Sequence, residues 1–256
     1  MPSAVHTLNT EVVVLRHSNW GEADRLLVIF SREAGKLRSV AKGARKIRSR
    51  KAGHLEPFTR VKVLLAHGRD FWIVTQAETV DAYLPIREDL LRTAYASRVI
   101  ELLDRFSYEE GANKTLYQLL IDTLERVSTL PDPFPGVFYY EIRLLDIMGF
   151  RPELNNCVRC DAEIKAEDQF FDANLGGALC PRCGHAVPSA RPISLPSLKI
   201  LRHYQRSTFR EASRVEMSEA AQRDVESHMN YYFSYLLERR LNTTSFLHEI
   251  RRDLPE

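Results

Sequence analysis

The chain has 256 residues with a formal net charge of +2, and its hydrophobic fraction of 44% is typical of a globular protein. No apolar run approaches the roughly 20 residues of a membrane span, and the N-terminus lacks the pattern of a signal peptide. We therefore expect a cytoplasmic protein without a membrane partner. Residues 1–80 hold 14 Lys or Arg and seven Asp or Glu, the asymmetry expected where a chain meets a polyanion.

Residues 9–81 show the period-2 alternation of short β-strands in five segments. Val12–Leu15 begins the series, Ser18–Gly21 predicts a turn after it, and in residues 60–65 the apolar Val61, Val63 and Leu65 share one parity. Five strands in about 70 residues predict a small closed barrel such as the OB-fold. An SH3-like barrel would give the same pattern, so periodicity does not decide the barrel type.

The stretch Lys36–Lys51 contains eight basic residues and no acid. Its first half alternates as a strand, and the part from Gly43 onwards has no apolar period and predicts a mobile basic loop. Such a surface suits the spaced charges of a phosphate backbone, and a solvated surface loop is the alternative. The candidate DNA-binding residues, including basic residues of neighbouring strands, are Arg25, Lys36, Arg38, Lys42, Arg45, Lys46, Arg48, Arg50, Lys51, Arg60 and Lys62.

One aromatic residue shares the parity of the basic strand residues. Phe58 has the parity of Arg60 and Lys62, so its ring could stack on a base of single-stranded DNA. A packing role at the barrel rim is the more common one for such a ring.

Helical periodicity begins after the strands. Apolar stripes cover residues 91–106, 116–127 and 138–148, and Gly149 is a suitable C′ residue for the third helix. Helix resumes near Ser194 and continues towards the C-terminus. These stripes predict the core of a helical domain.

Four cysteines form the most specific motif. Cys157, Cys160, Cys180 and Cys183 have the spacing C-x2-C-x19-C-x2-C, which suits tetrahedral Zn²⁺ in a reducing compartment. Four sulfurs leave no open position for water, so one structural zinc ion is expected. A redox dithiol and an iron–sulfur cluster are the alternatives. His185 could replace one ligand.

Enzyme motifs are missing from the sequence. It contains no GxxxxGK[ST], GxGxxG, HExxH or GxSxG. His54 and Glu56 match the H-x-E of zinc deaminases, but about a hundred residues separate them from the cysteines that would complete such a site. We therefore expect no catalytic residues and no enzymatic activity.

Several motifs recur together in one known family. In chain order they are Gly21–Arg25, Gly35–Leu37, Ala41–Arg45, Leu55–Phe58, Leu145–Pro152, the first CxxC pair, Gly176-Gly177 and the second CxxC pair. On these motifs the chain resembles the RecO family of bacterial DNA repair proteins over essentially its whole length.

The patterns and the resemblance together predict an α+β multidomain fold. An N-terminal five-stranded OB-fold barrel precedes an all-α domain, which a four-cysteine zinc module interrupts. The predicted boundaries are 1–82 for the barrel, 83–150 for the first helical part, 151–192 for the zinc module and 193–256 for the second helical part.

The resemblance implies a recombination mediator in the response to DNA damage. Such a protein binds single- and double-stranded DNA, anneals complementary strands and helps RecR load RecA onto DNA coated by single-stranded-DNA-binding protein (SSB). It works in the cytoplasm, associated with the nucleoid during repair. The acidic C-terminal tail of SSB would need an apolar pocket with a basic rim, for which Arg98, Arg105 or Arg143 are candidates.

Two other functional classes stay open. The basic barrel equally permits an RNA-binding or ribosome-associated zinc protein. A zinc-dependent enzyme is the third class, which the closed four-cysteine site disfavours.

Overall fold

The computed structural model of the chain describes residues 7–49, 51–109 and 111–253. The chain divides into two compact units, Met1–Leu130 and Pro131–Glu256. In the described part of the chain, no helix is both long enough and apolar enough to cross a membrane. The boundaries of the four segments predicted from the sequence stay predictions.

The first unit contains a closed five-stranded barrel with the strand order β1-β2-β3-β5-β4. The strands are β1 (Thr7–Trp20), β2 (Asp24–Ser31), β3 (Gly35–Ala41), β4 (Arg60–His67) and β5 (Trp72–Asp81). Neighbours pair antiparallel except β3 and β5, which pair in parallel. This order is that of the OB-fold, which confirms the predicted fold class and decides the barrel type.

The alternation read from the sequence sets the two faces of the barrel wall. On β4, Val61, Val63 and Leu65 are buried in the barrel core, whereas Arg60 and Lys62 lie on the outer face. Burying each such aliphatic side chain contributes about 1.5–3 kcal/mol, so a shift of one residue in register would be costly.

In the described part of the first unit, three α-helices follow the barrel strands and cover part of the outer barrel wall. They are α1 (Leu84–Glu88), α2 (Leu90–Phe106) and α3 (Lys114–Thr129). The side chains of Asp89 and Asn113 cap α2 and α3 by accepting backbone N–H bonds. Phe30 of β2 stacks on Tyr117 of α3 with 6.5 Å between ring centroids. Phe30 faces away from the barrel core and is nevertheless fully buried, because this helix covers it.

The second unit is mainly helical. Its helices are α4 (Phe134–Ile147), α5 (Pro181–Gly184), α6 (Leu195–Arg206), α7 (Phe209–Ala212), α8 (Glu219–Leu236) and α9 (Asn242–Asp253). The chain leaves α4 at Gly149 with φ +80°, and the Phe150 N–H donates to the Leu145 carbonyl at 2.7 Å. This Schellman motif confirms the predicted C′ glycine. Ser194 caps α6, close to the predicted restart of helix.

A three-stranded sheet supports the cysteine region, with the order β7-β6-β8. The strands are β6 (Gln169–Asp172), β7 (Gly177–Leu179) and β8 (Arg191–Ile193). A Cβ on Gly177 would lie 2.3 Å from the Glu153 carbonyl oxygen, so the close crossing of these two segments requires glycine. Next to it, the Val158 N–H donates to the Ala178 carbonyl at 3.0 Å. The first CxxC pair is thereby attached to β7.

Candidate nucleic-acid interface and candidate metal centre

The basic loop, Lys42–Ser49, follows β3 at the rim of the barrel. It consists of hydrogen-bonded turns, in which the Lys46 N–H donates to the Gly43 carbonyl and the Ser49 N–H to the Lys46 carbonyl. Ala44 is buried in the barrel core. The segment that the sequence predicted as mobile thus has an ordered backbone, anchored by one buried apolar residue. Ala44 is small and stands among charged residues, so the sequence does not show that it is buried.

Side-chain and backbone contacts attach the basic loop to the turn between β1 and β2. The Gly43 N–H donates to Asp24 Oδ1 at 2.7 Å, and Arg45 Nη1 donates to the carbonyls of Gly21 and Glu22 at 3.3 and 3.2 Å. Arg45 therefore anchors the loop while its charge stays exposed.

Four basic side chains project into solvent from the basic loop. They belong to Lys42, Arg45, Lys46 and Arg48, and no acid stands between them in the sequence. Arg50, also predicted to bind DNA, lies outside the described residues. A row of exposed cations without acidic neighbours in the chain suits the spaced charges of a phosphate backbone.

Two of the other predicted residues have acidic partners in the same unit, on helix α2 for Lys36 and on strand β1 for Arg60. Lys36 Nζ lies 2.6 Å from the Asp104 carbonyl oxygen and 3.2 Å from its carboxylate. Arg60 donates to the Glu11 carboxylate at 2.8 and 2.7 Å, and Tyr117 Oη donates to the same carboxylate at 2.9 Å. Burial and Glu11 raise the pKa of Tyr117, so the phenol stays protonated and donates. These charges have partners inside the fold.

Arg25 and Lys51 also have partners in the barrel. Arg25 Nη1 donates to Glu56 at 2.7 Å, and the ring of His17 lies 3.1 Å from the same carboxylate. Lys51 Nζ donates to the Val74 carbonyl at 3.1 Å. Both side chains are partly buried, so neither presents its whole charge to solvent.

Arg38 and Lys62 lie on the outer wall of the barrel, on strands that do not adjoin each other. Arg38 of β3 is 3.7 Å from Glu109, and its side chain is about half exposed. Lys62 of β4 is exposed between its cross-strand neighbours Glu11 and Glu78. The structure therefore brings four of the predicted residues together on the basic loop and distributes the other described ones around the barrel.

Two aromatic rings missed by the sequence analysis lie beside the basic loop. Trp20 ends β1 and is 47% exposed, and its ring meets that of Phe71 edge-on at 5.8 Å between centroids. The guanidinium carbon of Arg38 lies 5.7 Å from the centroid of the Phe71 ring. Trp20 precedes Gly21, which accepts the hydrogen bond of Arg45. The signal in the sequence that could have identified both rings is an aromatic residue directly beside a turn between two strands.

Phe58, considered for base stacking, does not lie on a strand. It precedes β4, has φ +70°, and donates its N–H to the Val14 carbonyl at 2.9 Å. Strand alternation therefore does not determine which way its ring faces.

The cysteine cluster consists of Cys157, Cys160, Cys180 and Cys183, whose Sγ atoms all lie within 4.8 Å of one another. The Cys160 and Cys180 sulfurs are 3.8 Å apart. Four sulfurs placed tetrahedrally at 2.3 Å from a metal would be about 3.8 Å apart, so the donor set fits a tetrahedral thiolate site. The ring of His185 packs on Phe170 instead, and the described cluster does not include it.

The environment of the sulfurs favours a bound cation. Burial raises the pKa of Cys157, but hydrogen bonds from backbone groups and from Cys160 outweigh this effect and lower it to about 6. Burial and the neighbouring sulfurs raise the pKa of Cys183 to about 12. Four thiolates so close together repel one another strongly, and a divalent cation removes this repulsion.

The fold and these two sites define a class of chain with an OB-type barrel, a basic loop at its rim, and a helical unit bearing a four-cysteine cluster. A family model for the "Recombination protein O N terminal" region matches residues 5–83, and one for the "Recombination protein O C terminal" region matches residues 87–245. The chain belongs to the RecO family. This result confirms the family resemblance inferred from the sequence motifs.

Similar proteins cover nearly the whole chain. A protein named DNA repair protein RecO from Roseiflexus sp. (strain RS-1) is 38% identical over 96% of this chain and 86% of its own length. A protein of the same name from Dehalococcoides mccartyi (strain ATCC BAA-2266 / KCTC 15142 / 195) is 32% identical over 96% of this chain and 97% of its own. The one from Symbiobacterium thermophilum is 33% identical, with shares of 95% and 97%.

Proposed function

We propose that this protein is a non-enzymatic mediator of recombinational DNA repair. It binds single- and double-stranded DNA, anneals complementary strands, and helps RecR load RecA onto single-stranded DNA coated by SSB. Membership of the RecO family supports the repair role. The exposed charges of the basic loop are the observation that carries the DNA-binding part of the proposal.

The mechanism is electrostatic. Two complementary strands repel each other because both are polyanions, and a protein that neutralises phosphates on one strand lowers the work of bringing up the second. Each phosphate contact releases condensed counterions, so binding weakens steeply as the salt concentration rises. No bond is made or broken in this process, which is why no catalytic group is required.

Substitution of three loop residues tests this mechanism. Lys42, Lys46 and Arg48 are changed together to Ala, and Arg45 is kept because it anchors the loop. In a plot of log K against log salt concentration, each phosphate contact with a single strand contributes about −0.7 to the slope. Loss of three contacts should therefore make the slope less steep by up to about 2. Affinity and annealing rate should fall together, while each exposed substitution should cost under about 0.5 kcal/mol of stability.

A second triple variant controls for the loss of three positive charges. Lys165, Lys199 and Arg210 are exposed basic residues of the second unit, and their replacement by Ala changes the net charge equally. This variant should keep the parental salt slope. A folded loop variant with an unchanged slope would contradict the proposal. An RNA oligomer that binds more than tenfold tighter than DNA of the same sequence would favour the RNA-binding alternative instead.

We further infer that the cysteine cluster binds one structural Zn²⁺. The support is the set of four sulfurs within 4.8 Å, which fills a tetrahedral coordination sphere. The metal would hold the two CxxC turns together and would supply no reactive water. Elemental analysis of protein purified without chelators should find one zinc per chain, and an iron chromophore or no metal would contradict this.

The tail of SSB stays a proposed partner without an assigned site. Arg98 is buried, Arg105 pairs with Glu101 at 2.6 Å, and Arg143 donates to the Gln205 carbonyl at 3.0 Å. Because these arginines contact their own fold, none is proposed as the rim of the tail pocket. We place the protein in the cytoplasm, at the nucleoid during repair, because its proposed partners are there.

A further inference from the structure

We propose that Trp20 and Phe71 form a platform on which bases of single-stranded DNA stack, beside the phosphate contacts of the basic loop. This inference rests on the proposed DNA-binding function and adds to it a reason for preferring single strands.

The exposure of Trp20 is the first observation. Its ring lies at the end of β1, outside the barrel core, with 47% of its surface accessible. A ring of this size usually buries most of its apolar surface, either in a core or against a partner. Phe71 contacts Trp20 through an edge-on arrangement, with an angle of 72° between the ring planes. An edge contact of this kind covers a face of only one of the two rings, and the exposure of Trp20 leaves part of its ring surface open to a planar ligand.

The charge beside the rings identifies the occupant. Arg38 lies over Phe71, and the carbonyls directly after Trp20 accept hydrogen bonds from Arg45 of the basic loop. A peptide partner for exposed aromatic rings does not require a row of cations at their side. Single-stranded nucleic acid requires both features, because its bases stack on rings while its phosphates need positive charge.

The position in the barrel agrees with this assignment. Trp20 stands at the turn between β1 and β2, and Phe71 stands at the turn between β4 and β5. These two turns and the face of β2 and β3 are where OB-folds bind oligonucleotides. Bases in a duplex already stack on one another, so only unpaired bases can use the platform.

Fluorescence makes the test direct, because the chain contains two tryptophans. The substitution Trp72→Phe leaves Trp20 as the single tryptophan, whose emission is excited selectively at wavelengths where the ten tyrosines do not absorb. Oligo(dT) should quench its emission on binding. An oligomer of the same length with abasic sites, which keeps the phosphates but lacks bases, should bind without quenching. This experiment leaves Trp20 intact, so it does not depend on the folding of a Trp20 variant.

Affinity measurements complete the test. Trp20→Ala should weaken binding of oligo(dT) about tenfold, since stacking of a base on an aromatic ring has an effect of this order. Its affinity for the abasic oligomer and its salt slope should not change, and Trp20→Phe should restore most of the loss. Tyr108→Ala, which removes another exposed aromatic ring of the same unit, is the matched control and should bind normally.

The outcomes separate the two proposals. If both oligomers bind with a steep salt dependence but neither quenching nor the Trp20→Ala effect is seen, the rings only pack the two turns together and the platform is refuted. If neither oligomer binds, or if the salt slope is flat, the DNA-binding proposal itself fails.

Discussion

The basic loop and the cysteine cluster use their side chains in opposite ways. In the loop, backbone hydrogen bonds and the buried Ala44 determine the conformation, and the charged side chains project into solvent. In the cluster, Cys157 and Cys183 are buried and their sulfurs face one another, so the side chains themselves determine the structure. Substitution of the charged side chains of the loop should therefore cost little folding free energy, whereas substitution of the cysteines should cost much more.

The largest effect is expected from breaking the cluster. Cys157→Ser should release the proposed zinc ion and loosen residues 151–190, because a structural zinc site supplies folding free energy directly. The barrel should keep its own stability. Zinc content and hydrogen exchange of the two units measure these outcomes. Arg159→Ser, in the middle of the same CxxC pair, is the control. A Cys157→Ser protein that retains one zinc and full protection from exchange would show that the cysteine side chains do not determine the structure of this region.

A second prediction separates two basic residues of the same strand. Arg60 pairs with Glu11, which is 15% exposed, whereas Lys62 points into solvent. Arg60→Ala leaves Glu11 without its cation, so it should lower the free energy of unfolding by about 2 kcal/mol. Lys62→Ala should change it by less than about 0.5 kcal/mol. Urea denaturation of both variants measures these two changes. Equal losses of unfolding free energy would show that the pair with Glu11 does not stabilise the barrel.

The smallest effect concerns the pH dependence of Glu56. Burial raises its pKa, but hydrogen bonds from Arg25 and His17 outweigh this effect and lower the pKa below the ordinary value of 4.5. A carboxyl whose pKa is lower in the folded state adds stability above the unfolded pKa and loses it as the pH falls through the folded pKa. The partly exposed group should contribute under about 1 kcal/mol.

Urea midpoints at pH 7 and pH 3.5 measure this contribution. The parent should lose more stability on acidification than Glu56→Gln, which has no carboxylate to protonate at that position. Glu78→Gln on the exposed face of β5 is the matched control. Identical pH dependence in the parent and in Glu56→Gln would mean that the pair with Arg25 does not stabilise the barrel.

The strands of the barrel could be predicted because alternation is a local property. The burial of Val61, Val63 and Leu65 follows directly from it. The partners of the basic residues could not be predicted in the same way. Lys36 meets Asp104 and Arg60 meets Glu11, and the sequence does not say which distant carboxylate comes close. In the sequence, basic residues with partners and basic residues without them therefore look alike.

Two further features were beyond local patterns. β1 continues to Trp20 through a segment whose composition predicted a turn, because pairing with β2 overrides local preference. The strands beside the cysteines are only three or four residues long, too short to show a period. The cysteine cluster itself was predictable because two CxxC pairs at this spacing are typical of a tetrahedral metal site.

The parallel pairing of β3 with β5 also affects how the chain folds during synthesis. Ser39 pairs with Trp72, and Thr10 of β1 pairs with Val63, so both closing contacts join residues about 30 to 50 positions apart. Until β5 has left the ribosome, β3 and β4 each present an unpaired backbone edge to other chains. The nascent barrel is thus exposed to aggregation until nearly all of its residues have been made, and protection comes only with its last strand.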